Sequence, residues 1–197
     1  MPSEKYCCIY EKEFMMIHTI KETVFTYPQR LLDGWKKGKK ENWLPSSLLI
    51  PTEVEQQPNE YFGAYFGLSQ YMKQGWLGTA FYALGNWELD NPLYTEGRIL
   101  LAQYINPNKL SLFKGLRTGV TSGEPDLFLY KTDGSILFVV VKKENEYLSD
   151  AELICLSNIK SVLECDVEIA YLAEERNPYT PKSYDIKVVQ FPNPLGV

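Results

Sequence analysis

Two apolar runs joined by Asp133-Gly134 constrain this chain more than any other feature. Asp-Gly between β-forming runs signals a tight hairpin turn, so residues 126–131 and 136–141 read as a strand pair, bounded at its start by Gly123 and Pro125. The return run, ILFVVV, is apolar without alternation, as expected of a strand buried on both faces. Lys142 and Lys143 end it abruptly. After a polar loop, Ser149-Asp150-Ala151-Glu152 has the spacing of a capping box, and it predicts a helix reaching about 163. Residues 166–172 are another apolar run, and 184–191 alternate enough to suggest an edge strand. The order helix, strand, strand, helix, strand predicts an α/β fold with a mixed central sheet flanked by helices.

Upstream, Asn91 and Pro92 predict a helix start, followed by Leu93, Gly97, Leu100 and Tyr104 at helical spacing. Glu96 falls on or beside that stripe. An inward carboxylate is costly unless paired or bound to a cation; the plainer alternative is a place at the stripe's edge beside a Lys or Arg. Another helix is expected from Asn59, with Phe62, Tyr65, Phe66, Leu68 and Met72 on it and Gly75 as its stop. Its rings suit a core, or alternatively stacking on bases. Pro28 predicts a helix to about 37, Pro45, Pro51 and Pro58 an irregular connection, and residues 5–10 a strand. Residues 1–58 therefore read as an N-terminal extension, and 59–197 as the main domain with its core at about 92–172.

A chain of 197 residues buries roughly 70% of its unfolded surface and needs no staple. The four cysteines lack CxxC spacing and the only histidine is His18, which argues against zinc and against Ser-His or Cys-His catalysis. Neither a signal peptide nor an apolar run of about 18 residues is seen, so a cytoplasmic or nuclear setting is expected and a membrane is not. Net charge is −5, so nucleic-acid binding would rest on local clusters: Lys36, Lys37, Lys39 and Lys40, or Lys109, Lys114 and Arg117. Such runs also serve simply as solvated surface. Lys143 and Arg98 are further cations placed to meet phosphate, and Arg98 could equally pair with a surface acid.

The chemistry sits on the hairpin. Asp126 heads its first strand and Lys142 ends its second. An acid that can hold a divalent cation, beside a lysine that can orient water, is the layout of a metal-dependent nuclease. Each residue also has a simpler reading: Asp126 as a turn cap after Pro125, Lys142 as a side chain snorkelling from a buried strand.

The stretch resembles the VRR-NUC branch of the PD-(D/E)XK nucleases. Pro125-Asp126 matches the family's Pro-Asp, FVVVK at 138–142 its F-V-E-V-K, and Leu148-Ser149 its Leu-Ser. Gly75-Trp76 and Glu96-Gly97 are similar to signals of the Fanconi-associated members, so the likeness spans about residues 75–172. It implies a restriction-endonuclease-like core that hydrolyses phosphodiesters of structured or branched DNA with Mg²⁺ or Mn²⁺. By that likeness Asp126 and Glu96 ligate metal, the Val141 carbonyl contacts it, and Lys142 positions or activates the water. A homodimer follows from relatives that cut four-way junctions with two sites.

Two positions depart from the family. Its strand glutamate is Val140 here, and its helix glutamine is Glu152. Either the acid has migrated, Glu152 filling the space left by Val140, or the chain is a catalytically inactive relative that binds nucleic acid or a protein. An inactivating change introduced at Val140 would look the same. Glu152 also has its capping-box role, which needs no metal.

Overall fold

The computed structural model describes residues 14–39, 43–48, 50–85, 90–120 and 122–190; the strand expected at 5–10, and Lys40, lie outside them. Six strands form one mixed sheet: β1 (Phe14–Tyr27), β2 (Leu77–Thr79), β3 (Leu127–Tyr130), β4 (Ile136–Lys143), β5 (Asp166–Glu174) and β6 (Ser183–Gln190). Their spatial order is β2-β3-β4-β5-β1-β6. β2, β3 and β4 run antiparallel, β5 is parallel to both β4 and β1, and β6 closes the edge antiparallel to β1.

Helices cover both faces. On one side lie α1 (Gln29–Lys36), α2 (Thr52–Gln56) and α3 (Pro58–Lys73), whose Trp35, Val54, Phe62 and Phe66 pack on Leu127, Val139 and Leu172. On the other lie α4 (Thr95–Tyr104), α5 (Pro107–Leu116) and α6 (Asp150–Asn158), whose Leu101, Phe113 and Leu156 pack on Phe128, Phe138 and Val140. β4 is thus sandwiched, which is why its sequence never alternates. Asn91 caps a 3₁₀ turn leading into α4, its side chain accepting from Leu93 N at 3.0 Å. Ser149 and Glu152 form the expected capping box on α6, which ends in a π-helical turn (Ile159–Leu163). The hairpin turn falls at Asp133-Gly134, Gly134 taking φ +88°, where glycine costs least.

Residues 14–58 are no extension. β1 is the longest strand and lies between β5 and β6, while Leu31, Trp35 and Val54 belong to the core on the α3 face. The expected boundary at 58 is therefore replaced by one sheet that draws on both sides of it. Its sequence hides the strand because the inward positions include His18 and Glu22, both buried, whereas Met16 and Ile17 are exposed.

Candidate active site

The mouth of the β3–β4 hairpin is held by a buried polar clamp. Glu124 accepts from Leu84 N and Gly85 N at 2.8 and 2.9 Å, and Arg117 Nε lies 3.4 Å from its carboxylate. Arg117 also donates to the Ser122 carbonyl, and Tyr82 Oη donates to the Pro125 carbonyl at 2.7 Å. Gly123 lets the loop touch α6: at φ +79°, an added Cβ would stand 2.6 Å from the Ala151 carbonyl. These contacts set Asp126 at the end of the sheet, near the start of α6.

Asp126 Oδ2 accepts from Val141 N at 2.6 Å. The residue opens on a cleft of about 410 Å³ whose wall includes Glu60, Tyr61, Glu124, Val141, Lys143 and Glu146. Burial is the main influence on its carboxyl and pushes the pKa up to about 6; the Val141 N–H and Lys142 act downward, Glu152 and Glu146 upward. Asp126 is itself exposed along the cleft, so water offsets part of that penalty.

Lys142 points to the α6 side. Its ammonium sits 2.8 Å from Glu152 Oε1, and both side chains are 15% exposed. The other Glu152 oxygen accepts from Ser149 N at 2.8 Å and from Ser149 Oγ at 2.9 Å. The capping role and the Lys142 contact therefore do not compete; each takes one oxygen. Burial alone would raise the Glu152 carboxyl, but Lys142 and the Ser149 donors outweigh it and hold the pKa below the usual carboxylate value. Val140, two residues before Lys142 on the same sheet face, is 0% exposed in the apolar core beneath them.

The remaining predicted residues scatter. Glu96 is exposed and lines a different cleft, of about 520 Å³, with Tyr65 and Phe81. The inward member of its pair is Gly97, where an added Cβ would come 2.0 Å from the Phe81 carbonyl; close packing explains that glycine without a ligand. Arg98 donates to Thr95 Oγ1 at 3.0 Å. Arg117, expected among surface cations, is instead 5% exposed and occupied by the clamp. Its neighbours Lys109, paired with Glu164, and Lys114 are half-buried. Lys143 does reach the Asp126 cleft, with Nζ 3.4 Å from Glu146. Sequence reasoning missed Glu60, Glu124 and Glu146 as cleft acids; the Glu124-Pro125-Asp126 run was the available signal for one of them.

Among the described residues no three His, Cys, Asp or Glu side chains gather into a ready ion-binding group. Asp126 and Glu152 are coupled electrostatically to each other and to Lys142, which Glu152 contacts directly. Magnesium sites commonly use one or two protein carboxylates, completing their shell with water and substrate phosphate, and this donor set fits that sparse kind of site. The sequence matches no protein-family model, and searches of curated proteins and of solved structures give no match.

Proposed function

We propose that this chain is a divalent-metal-dependent DNA nuclease of the PD-(D/E)XK kind, related in motif to VRR-NUC proteins, in which Glu152 supplies the acid absent at Val140. The single observation that carries this reading is the 2.8 Å contact between Lys142 Nζ and Glu152 Oε1, a pair whose charges both act on the Asp126 carboxyl. An acid standing against the hairpin lysine from the neighbouring helix is what a migrated ligand requires. The mixed sheet flanked by helices is compatible with that fold.

The chain's own contribution is positional. Asp126 is fixed by Val141 N and by the clamp behind Pro125. Lys142 is held in place by Glu152, so its ammonium can orient a water or meet charge developing on a phosphate. Mg²⁺ or Mn²⁺, when bound through Asp126 with the Val141 carbonyl and Glu152, would supply charge stabilisation at the attacked phosphate and the leaving oxygen. Structured or branched DNA as substrate, and a homodimer, follow from the motif resemblance alone.

A second reading, a non-catalytic nucleic-acid-binding module, is favoured by one fact: both Glu152 oxygens already have partners. Labelled single-stranded, duplex, flap and four-way-junction DNA, incubated with Mg²⁺ or Mn²⁺, separates the two. The nuclease reading expects cleavage that falls at least about 100-fold in Lys142→Met and Glu152→Gln, the scale of losing one preorganised electrostatic group. Binding without cleavage under every condition supports the second reading; cleavage indifferent to both substitutions sinks the site assignment.

A further inference from the structure

A third cleft, of about 540 Å³, has Lys142 in its wall, and Glu146 lines both it and the Asp126 cleft. Its wall is unusually rich in tyrosine: Tyr147, Tyr171, Tyr179 and Tyr184 all line it, with Lys142 and Lys182. Tyr171 is the sheet neighbour of Lys142, and its ring stacks on Tyr179 at 3.5 Å between centroids and 8° between planes. Lys182 Nζ stands 5.5 Å above the Tyr179 ring. Tyr147, on the loop between β4 and α6, is 85% exposed.

The acids of this cleft are already engaged. Glu22 accepts from Tyr179 Oη at 2.9 Å, Lys182 N at 2.7 Å and Tyr184 Oη at 2.7 Å. Glu144 accepts from Asn177 at 3.1 Å, and Glu146 from Lys143 N at 2.9 Å. An unengaged acid would have favoured a cationic ligand in this aromatic setting. What the cleft offers instead is ring surface with the Lys182 ammonium beside it, Lys142 being held by Glu152, a match for a planar base.

We propose that this tyrosine cleft is a stacking subsite for a single-stranded nucleotide flanking the phosphate that the Lys142 ammonium would meet, with Tyr147 closing on the exposed face of its base. The assignment of that phosphate rests on the nuclease reading. Stacking needs no hydrogen-bond readout, so the subsite accepts any base and selects for unpaired strands. That selection gives the cleft a physical reason to prefer junctions, flaps or loops over continuous duplex.

The test uses single-stranded DNA oligonucleotides carrying 2-aminopurine at successive positions, bound to the full chain in EDTA so that no cleavage intervenes. Stacking quenches 2-aminopurine, and fluorescence anisotropy reports binding separately. The expected result is quenching confined to one or two positions, lost in Tyr147→Ala together with about tenfold in affinity, and kept in Tyr147→Phe. Tyr147 is a surface side chain, so its removal leaves folding intact, which circular dichroism verifies. Binding with no position-dependent quenching, or quenching unchanged in Tyr147→Ala, overturns the subsite. Quenching by a chain that never cleaves DNA keeps the subsite and removes the nuclease reading; cleavage without quenching does the reverse.

Discussion

Glu22 and Asp126 are both sheet-associated carboxylates, and the molecule treats them in opposite ways. Glu22, on β1, is 9% exposed and accepts three hydrogen bonds from the 179–184 segment. Asp126, at the head of β3, opens on a cleft and accepts one hydrogen bond among the described residues, from Val141 N. A buried acid with all its partners supplied is structural mortar. An acid enclosed enough to be pushed upward in pKa, yet left open on one side, is poised for something the fold does not provide. The difference teaches which carboxylates to read as function: partner supply discriminates better than burial.

The sharpest way to break that comparison is to remove Glu22. Glu22→Ala strands two tyrosine hydroxyls and one backbone N–H, each worth about 1–3 kcal/mol when left unpaired and dry. Water entering through the tyrosine cleft recovers part of this, so a loss of about 4 kcal/mol is expected, read from the urea unfolding midpoint. A loss below about 1 kcal/mol would show that Glu22 is no better partnered than Asp126.

Next in size is the creation of a carboxylate with no provision at all. Val140 is fully buried against Phe138 and Ile159, and Lys142, the nearest cation in sequence, is already engaged with Glu152. Val140→Glu is therefore expected to destabilise by about 3 kcal/mol and not to raise cleavage. The family-like glutamate would only help if Lys142 released Glu152 to meet it. A variant as stable as the parent and more active means that this exchange happens, and that Glu152 is a substitute rather than the working acid.

How much of this was legible in sequence varies with what each segment buries. The hairpin, the capping box and the two-sided burial of β4 could be read because the Asp-Gly turn and the ILFVVV run leave few alternatives, and the structure has all three. β1 was not legible, since an inward-facing histidine and glutamate break the period-two signal that a strand usually carries. Its partners for those two residues, Ser157 and the 179–184 segment, are more than 130 positions away. Glu96 misled because Gly97 beside it turns inward for packing, so a real structural constraint looked like part of a site. The Lys142–Glu152 contact was foreseeable only as an option: the capping box placed Glu152 on α6, but nothing in the sequence said that one oxygen would remain for Lys142.

The smallest effect on stability belongs to Asp126 itself, and its sign is diagnostic. Its pKa is raised in the fold, to about 6 from an ordinary 3.8, so the folded state holds the proton more tightly than the unfolded chain does. Stability from that source is complete below about pH 4 and is lost as pH rises through 6. Asp126→Asn removes the titration while leaving an oxygen for Val141 N to meet. The variant should therefore be at least as stable as the parent at pH 8, within about 1 kcal/mol, and should lose any advantage by pH 4. Mn²⁺ sharpens the same contrast, because a cation that binds only the folded chain raises its melting temperature by mass action. Melting scans at pH 4 and pH 8, with and without Mn²⁺, read both effects in one experiment. A parent stabilised by Mn²⁺ at pH 8 beside an Asp126→Asn chain that is not stabilised supports Asp126 as the open carboxylate. An Asp126→Asn chain several kcal/mol weaker at pH 8 would place Asp126 with Glu22, as mortar.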